Sequence, residues 1–236
     1  MDPVSLIYRS PVYRKLQELG AEFREINGYA VPSTVGDLAA QSAAVAQLAL
    51  CDLSGLPRIG VKGLHAANWL SEEGFIIPAD NNSARRQDDG ALLVRLAPNE
   101  FLVLGEEARP YPCIEKLAKG DKFPSKSSGL EKPFLVPRQY SQIWFRLIGG
   151  QGIDTLAKLC AIDFRASSAN DFQIAQTSLA RLNAIVIRDD LDGIPGFHIL
   201  ADTASAEYLW DCLIDAGAEH SIRVVGLKVL AELKQG

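Results

Sequence analysis

Twice along this chain a strand-type run ends in a glycine-bearing turn and passes straight into a helix-type pattern. The first case is Ile59-Gly60-Val61-Lys62-Gly63 ahead of the helical run from His65. The second is residues 144–152 ahead of the run from Ile153. A strand buries one face and a helix one stripe, so each unit needs a facing layer. Two such units within 236 residues point to two related lobes. Other connections are hairpins: Ala97-Pro98-Asn99 joins strand-type runs at 91–96 and 100–104. Hairpins mixed with helices favour an α+β class over a doubly wound parallel sheet. The expected fold is two lobes of antiparallel sheet with flanking helices. The first lobe spans 1–108 and shares strands with the second half, 109–137 is an exposed connection, and the second lobe spans 138–236.

Local signals fill in this frame. Val12, Leu16 and Leu19 stand at helical spacing after Ser10-Pro11 and before Gly20. Residues 21–26 read as a strand closed by Asn27-Gly28, and a second helix with a small-residue face runs through Val35, Leu38, Ala39, Ser42, Val45, Ala46 and Ala49. Residues 51–61 read as a strand pair or bent strand broken at Gly55 and Pro57, 80–90 as a polar loop, and 114–118 as a short helix. Further on come a strand at 141–148, a helix at 153–160, strand-rich 177–187, a turn at 189–196, a strand at 197–200 and a helix at 204–216.

Composition excludes several classes. With 47% hydrophobic residues the chain can bury a sizeable core, and a net charge of −5 gives no positive field for nucleic acid. No run approaches the ~18–20 apolar residues that span a bilayer. The N-terminal residues carry no basic segment and no long apolar run, so no secretory signal is expected. A soluble, cytoplasmic protein is expected. Cys51, Cys113, Cys160 and Cys212 form no CxxC pair and read as reduced thiols, which leaves Asn81-Asn82-Ser83 without a glycosylation context.

Candidate chemistry is sparse. Gly149-Gly150-Gln151-Gly152 lies between a strand and a helix, where backbone N–H groups can hold an anion, but it lacks a P-loop or dinucleotide spacing and reads as a tight turn. His65, His198 and His220 stand far apart, so no metal is expected. Asp88-Asp89 precedes a strand, where a carboxylate can orient a nucleophile; Asp189, Asp190 and Asp192 cluster before Gly193 without calcium-loop spacing. Trp69, Trp144, Trp210 and Tyr208 read either as core or as an aromatic pocket.

Taken in order, several segments resemble the glycine-cleavage T-protein, an aminomethyltransferase. Ser10-Pro11-Val12-Tyr13, Leu19-Gly20-Ala21 and Gly28-Tyr29-Ala30-Val31-Pro32 are similar to the family's opening. Ala49-Leu50-Cys51-Asp52-Leu53-Ser54 resembles Gly-Leu-Phe-Asp-Val-Ser, and Gly193-Ile194-Pro195-Gly196-Phe197-His198-Ile199 resembles Gly-Glu-Asp-Gly-Phe-Glu-Ile. Within that superfamily, Cys160-Ala161-Ile162-Asp163-Phe164, Phe172 and Thr177 look most like the gamma subunit of heterotetrameric sarcosine oxidase. The resemblance implies the T-protein's sheet-and-helix lobes, with no room for its C-terminal barrel, and tetrahydrofolate as the possible cofactor. The implied partners are oxidase or glycine-cleavage subunits.

The departures from that pattern bear on function. The reacting aspartate corresponds to Asp88 or Asp89, one residue out of register with the following strand. The pattern's second glutamate falls at His198 and its arginine near Leu227 or Lys228, so His198, Lys228 and Trp144 are the candidate cofactor contacts. Unmatched polar groups in a pterin site cost about 1–3 kcal/mol each. Three readings follow: a degenerate or structural member beside a partner enzyme, an active tetrahydrofolate-dependent aminomethyltransferase, or a folate-binding accessory of iron–sulfur assembly. The last is weakened because Lys158-Leu159-Cys160-Ala161 keeps only the lysine and cysteine of that subgroup's motif.

Overall fold

The computed structural model describes residues 1–107, 109, 111–119, 133–165 and 172–233. It is a mixed α+β fold whose sheets are mainly antiparallel, with flanking helices. The chain divides into two compact units, one formed by Met1–Gly55 with Ser141–Gly236 and the other by Leu56–Tyr140.

In the first unit, β1 (Tyr8–Arg9), β2 (Ala21–Ile26) and β3 (Tyr29–Val35) form a three-stranded sheet in the order β1-β3-β2. The 21–26 strand and its Asn27-Gly28 turn, both with positive φ, stand as the sequence implies. β3 was not legible, because Pro32 argues against a central strand. The sheet tolerates it because β1 pairs only with Tyr29 and Ala30, so the missing N–H faces no partner there. On its other side β3 pairs with β2 through a register shift beside Phe23, the residue opposite Pro32.

The larger sheet of this unit comprises β4 (Ala49–Asp52), β10 (Gln142–Ile148), β11 (Ile174–Leu179), β12 (Leu182–Arg188), β13 (Gly196–Asp202) and β14 (Arg223–Val225), in the order β11-β12-β13-β10-β4-β14. The β4–β10 and β14–β4 pairings tie the first 55 residues to the last 96. Ile143, Phe145 and Leu147 of β10 and Phe197 and Ile199 of β13 point to one face. That face meets α6 (Ala206–Gly217), whose buried Ala206, Leu209, Trp210 and Leu213 recur at helical spacing. Each large side chain buried here contributes about 1.5–3 kcal/mol of transfer free energy, and Trp210 meets Phe145 edge-on at 5.5 Å. Around this core lie α1 (Tyr13–Glu18), α2 (Leu38–Gln47), α5 (Gly152–Ala157) and α7 (Leu227–Leu233). Asp37 caps α2 by accepting from Ala40 N–H at 2.9 Å.

The second unit is one antiparallel sheet, β6-β7-β8-β5-β9, with α3 (Ala66–Glu72) and α4 (Pro112–Ala118). Its strands are β5 (Arg58–Lys62), β6 (Ser83–Arg86), β7 (Leu92–Ala97), β8 (Glu100–Leu104) and β9 (Phe134–Val136). Ile59, Val61, Leu93, Phe101 and Val103 share a core with Ala66, Leu70, Ile114 and Leu117. The expected hairpin is β7–β8. Two strands went unread: β6 inside the polar loop at 80–90 and β9 inside the connection at 109–137. Both are edges of the sheet, where polar sequences are common and need no alternating pattern. Residues 51–61 resolve as the end of β4 and most of β5, one strand in each unit.

Candidate functional site

The polar chemistry of the first unit gathers on the second face of its large sheet. Side chains alternate along a strand, so with Phe145 and Leu147 turned to the core, Trp144 and Arg146 turn the other way. Register sets Arg146 opposite His198, Trp144 opposite Leu200, and Ile187 of β12 opposite His198. The same face of β12 leads on to Asp189. Trp144, Arg146, Asp189 and His198 are all at most 3% exposed. A lone arginine in the apolar run 143–148 was the sequence signal for this cluster, because a buried charge requires a partner.

Its hydrogen bonds fix the chemistry. Trp144 Nε1–H donates to His198 Nδ1 at 3.0 Å, and Arg146 Nη1 donates to Asp189 Oδ2 at 3.1 Å. Arg146 Nη2 donates to the main-chain carbonyl of Asp189 at 2.5 Å, and Nη1 also touches His198 Nε2. An indole N–H can only donate, so Nδ1 is an acceptor and the proton of the neutral ring lies on Nε2. Nε2 lies 3.1 Å from Asp189 Oδ2, which accepts that proton's hydrogen bond. Asp189 thus receives both an arginine and an imidazole N–H.

The turn at 189–196 is braced at Asp189 and Asp190, while Asp192 and Gly193 at its tip are exposed. Arg188 grips Asp190 in a fork, Nε to Oδ1 at 3.0 Å and Nη2 to Oδ2 at 2.8 Å, and Arg188 Nη1 donates to Phe164 O at 2.8 Å. Nearby, burial pushes the Cys51 thiol well above its usual range; Asp52 adds to the shift and Arg146 opposes it.

The other sequence candidates lie elsewhere. Asp88 and Asp89 belong to the second unit, between β6 and β7. Asp88 is exposed. Asp89 Oδ2 accepts from Cys113 N–H at 3.0 Å in the first turn of α4, and Oδ1 accepts from Ala91 N–H at 3.1 Å. Burial pushes the Asp89 carboxyl upward, but the Cys113 contact and the Ala91 N–H outweigh it, so it lies below its usual value. Burial, and the Asp89 carboxylate beside it, push the Cys113 thiol upward. Lys228 lies exposed on α7. Among the candidate cofactor contacts, only Trp144 and His198 come together. The glycine turn at 149–152 is the tight turn expected: Gly150 and Gln151 N–H groups donate to Ala46 and Gln47 carbonyls at the end of α2, each at 3.0 Å. The aromatic residues do not form one pocket, since Trp144 and Trp210 serve opposite faces of one sheet and Trp69 joins the second unit's core. A groove of about 840 Å³ among α1, α2, α6 and β14 includes Lys15, Asp211 and Arg223 in its lining and none of the candidate residues.

This arrangement of sheets defines a T-protein-like fold. Among solved structures, the glycine cleavage system aminomethyltransferase T from Bartonella henselae matches with a TM-score of 0.71 at 20% identity, covering 97% of this chain and 62% of the other. A chain of the heterotetrameric sarcosine oxidase from Corynebacterium sp. U-96, in complex with pyrrole 2-carboxylate, matches with a TM-score of 0.61 at 22% identity, covering 78% of this chain and 92% of that one. In sequence the chain is similar to the aminomethyltransferase of Saccharopolyspora erythraea, 24% identical over 93% of this chain and 60% of the relative. The aminomethyltransferase of Bacteroides fragilis is 23% identical over 92% and 61%. The chain therefore spans about three fifths of the length of these curated relatives. No protein-family model matches it. No helix among the described residues is long and apolar enough to cross a membrane.

Proposed function

We propose that this chain is a T-protein-fold member of one-carbon (glycine or sarcosine) metabolism that works as a structural subunit beside a partner enzyme, its grip on folate lost. The observation that carries this reading is His198. It stands where the family pattern has a glutamate, it is 1% exposed, and its ring is hydrogen-bonded by Trp144 on Nδ1 and by Asp189 on Nε2. A pterin from solution would have to displace those bonds. The residues present therefore do not fit tetrahydrofolate through His198 and Trp144, and we derive no step through it. Asp89 supports the same reading, because its two carboxylate oxygens hold main-chain N–H groups. The likeness to a heterotetrameric sarcosine oxidase chain supports an oxidase-type partner and that to a glycine cleavage system aminomethyltransferase a glycine-cleavage one; the cytoplasm is the compartment we assign.

Calorimetric titration with tetrahydrofolate tests the proposal. The expected result is no saturable heat up to millimolar ligand. A saturable micromolar isotherm overturns it and favours the second reading, an active tetrahydrofolate-dependent aminomethyltransferase with Asp88 or Asp89 as reacting carboxylate. That alternative draws its support from the aminomethyltransferases among the curated relatives.

A further inference from the structure

We propose that the polar face of the six-stranded sheet carries a guanidine-recognition slot, which the chain fills with its own Arg146. The inference concerns the first unit alone and holds whether or not folate binds.

The slot is shaped for a planar, two-pronged cation. Its acceptors are the Asp189 carboxylate and the Asp189 main-chain carbonyl, met by Nη1 at 3.1 Å and Nη2 at 2.5 Å. One residue supplies both, so their spacing is set by covalent geometry and the turn at 189–196. A guanidinium satisfies such a pair with adjacent N–H groups of one rigid plane, whereas an ammonium is a point charge that must choose. His198 borders the same edge, with its orientation held by the Trp144 bond.

The remaining wall is a missing side chain. A Cβ on Gly196 would lie 2.7 Å from Arg146 Nη2 and 2.6 Å from the Asp189 carbonyl oxygen. Gly196 is not among the glycines with positive φ, so its backbone does not demand glycine. The Asp189 carbonyl and the guanidinium that it holds leave no room for a side chain there. Gly196 lies two residues from His198 on β13 and on the same face, so strand register builds the wall. Carboxylate, carbonyl, oriented imidazole and bare backbone together form a buried seat for an N–C–N group. Any ligand it admits once the side chain is removed belongs to the same class: guanidinium, methylguanidine and their relatives.

Chemical rescue tests the slot. The Arg146→Ala variant is melted with and without millimolar methylguanidine, far below denaturing concentrations, beside methylammonium at equal ionic strength and the wild-type chain as controls. We expect methylguanidine to restore most of the lost melting temperature of Arg146→Ala. It should leave wild type unmoved, and methylammonium should restore nothing. Where Arg146→Ala is recovered only from inclusion bodies, refolding yield with and without methylguanidine is the readout, with the same expectation. Adding Gly196→Ala to Arg146→Ala should abolish the rescue by closing the seat. No rescue in either readout overturns the proposal, as does equal rescue by methylammonium, an equal shift of wild type, or rescue that survives Gly196→Ala.

Discussion

Replacing Asp89 by asparagine separates a catalytic carboxylate from a structural one. In the folded protein its two oxygens accept from Ala91 and Cys113 N–H groups at 3.1 and 3.0 Å, the latter in the first turn of α4. Asparagine keeps one acceptor and turns an NH₂ toward the other donor. One charge-assisted hydrogen bond is worth about 1.5–3 kcal/mol when buried, and a negative charge at a helix start adds roughly 0.3–1 kcal/mol. Asp89 is only partly buried, so Asp89→Asn is expected to cost about 1–3 kcal/mol, read as a lower urea midpoint at unchanged slope. The pH dependence follows from the lowered carboxyl. A folded-state value below the unfolded one, near 3.9, means the stabilisation is complete above that unfolded value. It is lost as pH falls through the lower folded value, where the unfolded chain binds the proton first. The gap between wild type and Asp89→Asn should therefore be full at neutral pH and close on acidification. The reasoning is refuted if Asp89→Asn keeps wild-type stability while an aminomethyl-transfer activity of the wild-type chain disappears.

Two further perturbations probe the first unit and the thiols. Gly149 has φ +135° and its added Cβ would lie 2.4 Å from Gln47 O, so Gly149→Ala should destabilise by more than about 1 kcal/mol; a thermal melt indistinguishable from wild type would contradict this. Cys51 and Cys160 are buried, whereas Cys113 and Cys212 are half-buried. A thiol reagent applied to the native protein should label Cys212 ahead of Cys113, whose thiol is held protonated by burial and Asp89, and reach Cys51 only on unfolding, as mass spectrometry of the labelled peptides would report.

The sequence by itself determined the local pieces. The 21–26 strand with its Asn27-Gly28 turn, the hairpin around Pro98 and the helical run at 204–216 are each set within a few residues, by φ preference or side-chain spacing; which side chains of that helix face the core is not, since Trp210 is buried and Tyr208 stands half exposed. The ordered run of T-protein-like motifs carried the fold class as well. Tertiary structure alone decided the rest. β3 reads poorly because its tolerance of Pro32 depends on where β1 stops pairing, and β6 and β9 because an edge strand carries no obligatory pattern. Asp89 and His198 were visible as chemistry, but beyond Ala91 beside Asp89 and Asp189 nine residues from His198, their partners Cys113, Trp144 and Arg146 are distant in sequence. Strand register brings Arg146 opposite His198 and the fold of the turn brings Asp189 beneath both, and register between remote strands is a property of the whole sheet. A buried arginine announces that it needs a partner; only the folded chain says which one.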